Sequence, residues 1–331
     1  MNFGSYFYNE TCKTLKPIEE IEFVGDSLPY HDSVRHDIES EIGSTIPLHR
    51  VDIHEFYSVH TKEYLDSFIA LSRGEDAEIQ LSVECANLQY AIPGYEYSLG
   101  GVCKTIEMMK AGILDRAYCF SMPGHHAFPG KGHGYCALNA MAAGVRYAQS
   151  SGFKKILIAD WDIHHGDGTQ TIFENDENVH HISVHSAVDL YMSVVKSAEL
   201  GTTAYADSVG QVNIPILDDF YTEDFFYNEL GLRGNIYRGA ESVQQFQAAL
   251  DASCKPDLIM IFDGHDSHKE DCGRGTTKWE DEDFETLTKS VVDLSVKHNC
   301  PLLSMPGGGY NFHKAVELSL LHAKILKEYR V

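Results

Sequence analysis

The sequence predicts an α/β fold in which helices cover both faces of an open, mostly parallel sheet. Short apolar segments alternate with longer amphipathic ones from about residue 98 onward, which is typical of strand–helix–strand units. Most of the short segments are continuously apolar, as strands buried on both faces are. The 331 residues contain no internal repeat and no linker rich in Pro or Ser, so we expect one domain over residues 1–331.

Six strands are predicted from short apolar runs that lead into polar residues. They are residues 117–121, 155–160, 180–184, 212–216, 258–262 and 301–305. In an open parallel sheet the ligand site lies just past the carboxyl ends of the strands. The polar residues that follow each strand are therefore the candidates for function.

Five helices are predicted from amphipathic segments. They are residues 61–72, 99–109, 138–150, 281–297 and 312–329. In the last of these, Ala315, Leu318 and Ile325 recur at helical spacing and form one apolar stripe. Such a stripe indicates a helix that packs on a sheet and exposes its other side to water.

The net charge limits the partners that the chain can bind. There are 26 Lys and Arg residues against 49 Asp and Glu, a formal charge of −23, so we expect neither nucleic acid nor a membrane surface as a partner. No apolar run approaches the roughly 18 residues of a membrane span, and the N-terminus lacks the layout of a signal peptide. The eight cysteines are scattered, which disfavours a disulfide framework. A cytoplasmic protein is expected, and a homo-oligomer is compatible with the sequence.

Asp162 and His164 follow the strand that ends at Asp160 and are candidate metal ligands. Side chains two positions apart on an extended segment point to the same side, and a carboxylate beside an imidazole suits a divalent transition metal. Asp266 follows the strand over residues 258–262 and would supply a third ligand. Three protein ligands with an open position are typical of a catalytic metal site, although Asp and His also cap turns at strand ends.

His125 and His126 follow another predicted strand and are candidate proton shuttles. Asp160 and Asp167 flank the metal pair, and each can accept a hydrogen bond from one imidazole. A carboxylate partner fixes the imidazole tautomer and raises its basicity. Two His–Asp dyads beside a metal would provide a general base and a general acid, whereas adjacent histidines alone would indicate only a polar turn.

Tyr310 follows three glycines after the strand over residues 301–305. The glycines let the backbone approach a ligand closely, and the tyrosine hydroxyl can donate to a developing oxyanion. Together with a metal and two proton shuttles, this set suits metal-assisted hydrolysis of an amide or ester. There is no Ser in a G-x-S-x-G elbow, and the apolar surroundings of Cys136 favour packing, so nothing indicates a covalent intermediate.

These residues lie in segments that resemble the zinc-dependent histone deacetylases and the related acetylpolyamine amidohydrolases, which share the arginase/deacetylase fold. The segments occur in the family's order over about residues 50–330. They are VHTKEYL (59–65), PGHHA (123–127), GYC (134–136), DWDIHHGDGTQ (160–170), GHDS (264–267) and GGGY (307–310). Trp161 and Thr169-Gln170 resemble the class II and bacterial type, whereas Asp167 resembles class I.

The resemblance implies a deacetylase that uses zinc-activated water and releases acetate and a free amine. It implies zinc ligands Asp162, His164 and Asp266, catalytic residues His125, His126, Asp160, Asp167 and Tyr310, and substrate-binding residues Gly134, Tyr135 and Gly308. Fe²⁺ is an alternative metal, because one histidine and two carboxylates do not select zinc strongly. The family often binds a structural K⁺ ion as well, and the matching positions are Asp160, Asp162, His164 and Ser183.

Several positions that we expect around the substrate channel depart from the family's usual pattern. Ser121-Met122-Pro123 stands where Arg-Pro-Pro is usual, and His265 replaces a common Phe. Residues 127–134 form a Gly-rich loop, and Tyr135 replaces Phe, with Tyr191 a candidate for the opposing aromatic. The departures bear on the substrate, so two kinds of cationic acetylated amine stay open: acetyl-lysine in proteins and acetylated polyamines.

Two other functions compete with the deacetylase. A two-manganese ureohydrolase shares the fold, but it would place an Asp where Gly166 stands. A non-catalytic protein that binds acetylated amines would be indicated by loss of a ligand or of Tyr310, and none is lost.

Overall fold

A parallel sheet forms the centre of the computed structural model, which describes residues 1–8, 16–17, 32–77, 81–82, 85–86, 91–189, 210–229, 231 and 234–331. In these residues seven strands form one sheet, and every neighbouring pair is parallel. The strands are β1 (Phe3–Tyr6), β2 (Arg116–Cys119), β3 (Ile156–Asp160), β4 (Val179–Ser186), β5 (Gln211–Ile216), β6 (Leu258–Asp263) and β7 (Leu302–Pro306). Their order across the sheet is β1-β2-β7-β6-β3-β4-β5.

Helices pack against this sheet. In the described ranges they are α1 (Asp32–Ile42), α2 (Lys62–Ser72), α3 (Ala91–Lys110), α4 (Ala140–Ser150), α5 (Asp167–Phe173), α6 (Gly239–Ala252), α7 (Asp281–His298) and α8 (Phe312–Glu328). Every residue of β3, β6 and β7 is buried. Because successive side chains of a strand point to opposite faces, both faces of the sheet are covered, and the predicted α/β fold is confirmed.

Shorter elements complete the described chain. They are the 3₁₀ helices Ile53–Ser58 and Cys272–Gly275, the π-helical turn Phe225–Glu229, the antiparallel pair Lys16–Pro17 with Cys85–Ala86, and the parallel pair Leu81–Ser82 with Gly132–His133. None of the helices in the described part of the chain combines the length and the apolar character that crossing a membrane requires.

All six predicted strands are present, with ends displaced by two residues or fewer. The edge strand β1 was not predicted, because Gly4 and Ser5 have little preference for extended structure. Packing explains it: a Cβ added at Gly4 would lie 2.8 Å from Leu114 Cδ1, so the strand lies directly against its neighbours.

The predicted start of the helix at residue 99 is wrong, since α3 begins at Ala91. Pro93 lies in the first turn, where a backbone N–H has no helical acceptor, so it does not interrupt the helix. Inside α3, a Cβ added at Gly101 would lie 2.1 Å from Cε1 of Tyr6, so this glycine lets the helix pack closely on β1. Helices α1, α5 and α6 were not predicted either.

The sheet order places four strand ends side by side. Strands β2, β7, β6 and β3 are consecutive neighbours and parallel, so their carboxyl ends meet at one edge of the sheet. His125 follows β2, Tyr310 follows β7, Asp266 follows β6 and Asp162 follows β3. The four polar segments singled out in the sequence therefore lie around one opening.

Candidate active site

Asp162, His164 and Asp266 form a cluster at this edge of the sheet, as the sequence predicts. His164 Nδ1 lies 3.1 Å from Asp162 Oδ1 and 3.0 Å from Asp266 Oδ2. Both aspartates are buried, whereas 31% of the His164 side chain is exposed. The cluster therefore lies at the base of an opening, with its histidine toward solvent.

The charges of this cluster favour a bound cation. Burial, and then the negative charge of Asp162, raise the pKa of Asp266 to about 7. Burial also opposes ionisation of Asp162, but His125 and His164 lower its pKa. One oxygen of each carboxylate and the His164 nitrogen all lie within 4.8 Å of one another, and two buried carboxylates so close repel each other unless a proton or a cation lies between them. Two carboxylate oxygens and one imidazole nitrogen are a donor set that a divalent transition metal accepts, so the cluster fits a metal ion.

Backbone amides hold both carboxylates in place. The N–H of Ile163 donates to Asp266 Oδ1 and that of His164 to Asp162 Oδ1, each at 2.9 Å. The N–H of Gly308 donates to Asp162 Oδ2. A Cβ added at Gly308 would lie 2.5 Å from Asp266 Oδ2, so only glycine fits against the carboxylate pair.

The two predicted His–Asp pairs are formed beside the cluster. His125 Nδ1 donates to Asp160 Oδ2 at 3.1 Å, and His126 Nδ1 donates to Asp167 Oδ1 at 2.9 Å. His125 Nε2 lies 3.9 Å from Asp162 Oδ1, on the side of the metal cluster. With Nδ1 occupied by a carboxylate, Nε2 is the ring nitrogen that can exchange a proton with a substrate.

The adjacent histidines differ in charge, although their ring centres are only 4.0 Å apart. Burial opposes protonation of His125, but the carboxylates of Asp162 and Asp160 outweigh it and raise its pKa to about 9. Burial, and then the positive charge of His125, hold the pKa of His126 well below its usual range. One imidazole is thus protonated and the other neutral at neutral pH, which is the pairing that acid–base catalysis needs.

Tyr310 stands over the cluster, with its ring centre 6.0 Å from that of His164. Burial, and then the charges of Asp266 and Asp162, hold the pKa of Tyr310 well above its usual value. The hydroxyl therefore keeps its proton and is a hydrogen-bond donor. Asp271 Oδ2 accepts the backbone N–H groups of Tyr310 at 2.6 Å and Asn311 at 2.7 Å, which holds this segment in place.

A small pocket opens between these residues. It is lined by Pro123, His125, His126, Gly134, Tyr135, Cys136, Asp162, His164, Phe262, Gly308 and Tyr310. The predicted substrate-binding residues Gly134, Tyr135 and Gly308 all lie in this lining. Tyr135 has φ of +64°, a left-handed conformation that is uncommon outside glycine and that clusters at functional sites.

Three residues of the site were missed in the sequence. The ring of Phe262 stacks on that of His125 at 4.4 Å, His133 Nε2 lies 3.1 Å from Asp167 Oδ1, and Asp271 holds the Tyr310 segment. Phe262 ends a predicted strand, and its apolar side chain indicates only a core residue. No motif in the sequence marks Asp271 as functional. The sequence shows the Gly-rich loop that contains His133 but indicates no role for it.

His265 and Tyr191 are two other positions expected around the substrate channel. His265 does not line the pocket: it is buried and donates to Asp263 Oδ2 at 3.1 Å, so its expected place at the substrate channel is wrong. The physical reason is that Asp263, two residues earlier, lies within hydrogen-bond distance of the His265 imidazole and holds the ring away from the pocket. Tyr191 lies outside the described residues.

Ser183 and Gly166 indicate which ions besides the catalytic metal the chain could bind. Ser183 lies opposite Asp160 in the register of β3 and β4, and its buried hydroxyl has no hydrogen-bond partner among the described residues. Such an orphaned oxygen fits a cation ligand. At Gly166 an added Cβ would lie 2.5 Å from Asp160 Oδ2, so the carboxylate that a two-manganese ureohydrolase needs there does not fit.

Comparison with known proteins gives matches along most of the chain. The sequence profile of the histone deacetylase domain matches residues 29–326. Type-2 histone deacetylase 2 of Dictyostelium discoideum is 31% identical over 234 residues, which are 66% of this chain and 13% of that protein. A probable deacetylase of Archaeoglobus fulgidus is 27% identical over 278 residues, which are 81% of this chain and 69% of that protein.

Among solved structures, the crystal structure of the HDA15 HD domain is similar with a TM-score of 0.70. The match covers 98% of this chain and 90% of that chain at 23% sequence identity. At that identity the likeness shows the fold alone, and it confirms the fold that the sequence resemblance implies.

Proposed function

Because the chain belongs to the histone deacetylase family, we propose that it is a metal-dependent amidohydrolase that removes acetyl or related acyl groups from amines. The observation that carries the proposal is the meeting of Asp162, His164 and Asp266 with two His–Asp pairs and Tyr310 around one pocket. Residues 1–331 would form one catalytic domain, since the strands that supply these residues are neighbours in one sheet.

Asp162, His164 and Asp266 would hold the metal ion, for which Zn²⁺ is the first candidate and Fe²⁺ the second. Burial, and then repulsion by Asp162, raise the pKa of Asp266, and a bound cation would offset both, which supports this assignment. When bound, the ion would supply Lewis-acid polarisation of the carbonyl and a lowered pKa of water.

The chain's own side chains would move the protons. Neutral His126, oriented by Asp167, accepts a proton at Nε2 from the attacking water, whose oxygen forms the new bond to the carbonyl carbon. Tyr310 donates a hydrogen bond to the carbonyl oxygen as negative charge develops there. Protonated His125, held by Asp160, then gives its Nε2 proton to the leaving nitrogen as the C–N bond breaks. The products are the free amine and the carboxylic acid, which loses its proton to solvent. Loss of a proton from His126 to solvent and uptake of one by His125 restore the starting protonation states.

A structural K⁺ ion is also proposed, with Asp160, Asp162, His164 and Ser183 around it. The orphaned hydroxyl of Ser183 supports this assignment. Its position opposite Asp160 in the sheet would let the ion brace the segment that carries the catalytic metal ligands.

The substrate would be a cationic acetylated amine, either acetyl-lysine in a protein or an acetylated polyamine. The charge of −23 supports a cationic substrate. A cytoplasmic location is also proposed: in the described part of the chain, Cys103, Cys119, Cys254, Cys272 and Cys300 form no disulfide, as expected in a reducing compartment.

A substrate panel tests the proposal. Zinc-loaded protein would be assayed for acetate release from an acetyl-lysine peptide, acetylated polyamines and longer acyl-lysine peptides, with the Asp266→Ala variant as the blank. We expect metal-dependent turnover of one substrate class. Zinc-loaded protein that releases no acid from any member of the panel would contradict the proposal.

A further inference from the structure

The carboxylate of Asp167 serves two buried histidines. Its Oδ1 lies 2.9 Å from His126 Nδ1 and 3.1 Å from His133 Nε2. The backbone N–H of Gly168 donates to the same oxygen at 3.0 Å. His126 is the proton acceptor of the proposed reaction, whereas His133 does not line the pocket and has no part in that chemistry.

The protonation states of this group follow from its surroundings. Burial opposes ionisation of Asp167, but the charge of His133 and the hydrogen bonds from both imidazoles hold its pKa well below the usual range. An ionised carboxylate only accepts hydrogen bonds, so both facing ring nitrogens must carry protons. His126 therefore presents Nδ1–H and His133 presents Nε2–H to Asp167, and three donors converge on one oxygen.

A tight turn holds His133 in this position. Its carbonyl accepts the N–H of Cys136 at 2.9 Å, and the two residues between them, Gly134 and Tyr135, have φ of +55° and +64°. A Cβ added at Gly134 would lie 2.6 Å from Cδ2 of His126, so the turn packs directly on the His126 ring. The same turn therefore sets His133 against Asp167 and confines the ring that Asp167 orients.

The other dyad lacks this arrangement. His181 Nε2 lies 3.7 Å from Asp160 Oδ2, beyond hydrogen-bond distance, and has no hydrogen-bond partner in the described chain. Among the described residues, a second histidine is thus bonded to the carboxylate of the His126 dyad and not to that of the His125 dyad.

We propose that His133 is a positioning residue of the reaction: it holds Asp167, and through Asp167 it directs Nε2 of His126 into the pocket. The kinetic consequence rests on the proposed deacetylase function, whereas the geometric one does not. Removing His133 takes away one of the three donors that hold Oδ1 of Asp167. The carboxylate then turns more readily about its Cβ–Cγ bond, and His126 spends less time aimed at the attacking water.

Three variants of the zinc-loaded full chain test this proposal kinetically. We expect His133→Leu to lower kcat by about tenfold, the equivalent of one lost hydrogen bond to a charged group, with KM nearly unchanged. His133→Gln, whose amide can donate from near the position of the imidazole Nε2, should recover most of that loss. The control is His322→Leu, which removes a buried histidine that contacts Ser304 and Thr288 hydroxyls, and its kcat should equal that of the wild type.

Imidazole NMR tests the geometry without turnover. In ¹⁵N-histidine-labelled holoprotein, the hydrogen-bonded Nδ1–H signal of His126 should be present in the wild type and in His133→Gln. In His133→Leu it should shift or broaden by exchange with water. If the Leu variant does not fold, His133→Asn replaces it, because its shorter amide does not reach Asp167.

Several results would overturn the proposal. One is wild-type kcat and an unchanged His126 signal in the Leu variant; another is equal losses in the Leu and Gln variants, which would make the role merely structural. Because the Asp167, His126 and His133 atoms are also close enough to hold a metal, a second zinc per wild-type chain that is lost in His133→Leu would overturn it too. A wild type without any turnover would refute the proposed function, and the NMR result would still decide the role of His133.

Discussion

Single residues of the site owe their chemistry to their neighbours more than to their type. His125 and His126 are adjacent, yet the carboxylates of Asp160 and Asp162 raise the pKa of the first to about 9, and burial lowers that of the second. The proposed reaction uses this difference, because the proton donor must be charged and the proton acceptor neutral. The pH dependence of turnover should therefore report both imidazoles.

The alkaline side of the pH profile tests the role of His125. It donates a proton only while it is charged, so kcat should fall as pH rises through its pKa, at or below about 9 once a cation on Asp162 weakens the attraction. In Asp160→Asn one of the two charges that raise this pKa is gone, and the fall should move to lower pH by about one unit. Profiles of kcat from pH 6 to 10 for both proteins provide the measurement. An alkaline limb that stays in place in the variant would contradict the assignment.

The hydroxyl of Tyr310 gives a second prediction at this scale. Tyr310→Phe removes one hydrogen-bond donor to the developing oxyanion. It does not change the side chains that would bind the metal. We expect kcat to fall by roughly 10²–10³ while zinc content and thermal stability stay as in the wild type. Steady-state kinetics with metal analysis check this, and a rate within a few-fold of the wild type would rule out the role.

Residues whose role is chemical could be predicted at this scale, and residues whose role is positional could not. Asp162, His164 and Tyr310 follow strands and carry groups that suit a metal or an oxyanion, so residue type and place in the chain were enough. His133 and Asp271 act through a carboxylate or backbone that is distant in sequence. Only the folded chain shows that Asp271, 39 positions before Tyr310, holds its backbone.

Among the secondary-structure elements, the central strands were predictable because burial on both faces leaves a continuous apolar run. The start of α3 was not, because Pro93 and the glycines inside the helix read as interruptions. Their places in the fold, in the first turn and against β1, make them tolerable or necessary. The edge strand β1 is likewise set by its packing on Leu114, a contact that no local pattern in the sequence indicates.

The loop after β6 gives a prediction for this scale, because it supports the loop after β7. Asp271→Ala removes the oxygen that accepts both N–H groups at the start of α8 and should lower kcat by about tenfold through misplacement of Tyr310. Asp271→Asn keeps an acceptor oxygen and is the matched control, which should retain most of the activity. Zinc content should not change in either variant. Equal kcat values for the two variants would show that the loop is held in another way.

For the whole molecule, the excess of acidic residues should strengthen the binding of cationic substrates. A net charge of −23 attracts cationic substrates through long-range electrostatic forces, and dissolved salt weakens this attraction. Raising ionic strength from about 0.05 to 0.5 M should raise KM several-fold for a cationic acetylated amine. A neutral acetylated amide of similar size is the control, and its KM should not move. Identical salt dependence for both would show that the net charge does not select the substrate.

A metal titration of activity tests whether one divalent ion held by Asp162, His164 and Asp266 makes this chain an amidohydrolase. Metal-free protein would receive zinc in steps while acetate release from the best substrate of the panel is followed. We expect activity to rise linearly and to level off at one equivalent of zinc per chain, and we expect Asp266→Ala to show neither tight zinc binding nor turnover. Full activity without metal, a plateau at two equivalents, or an active Asp266→Ala variant would contradict it.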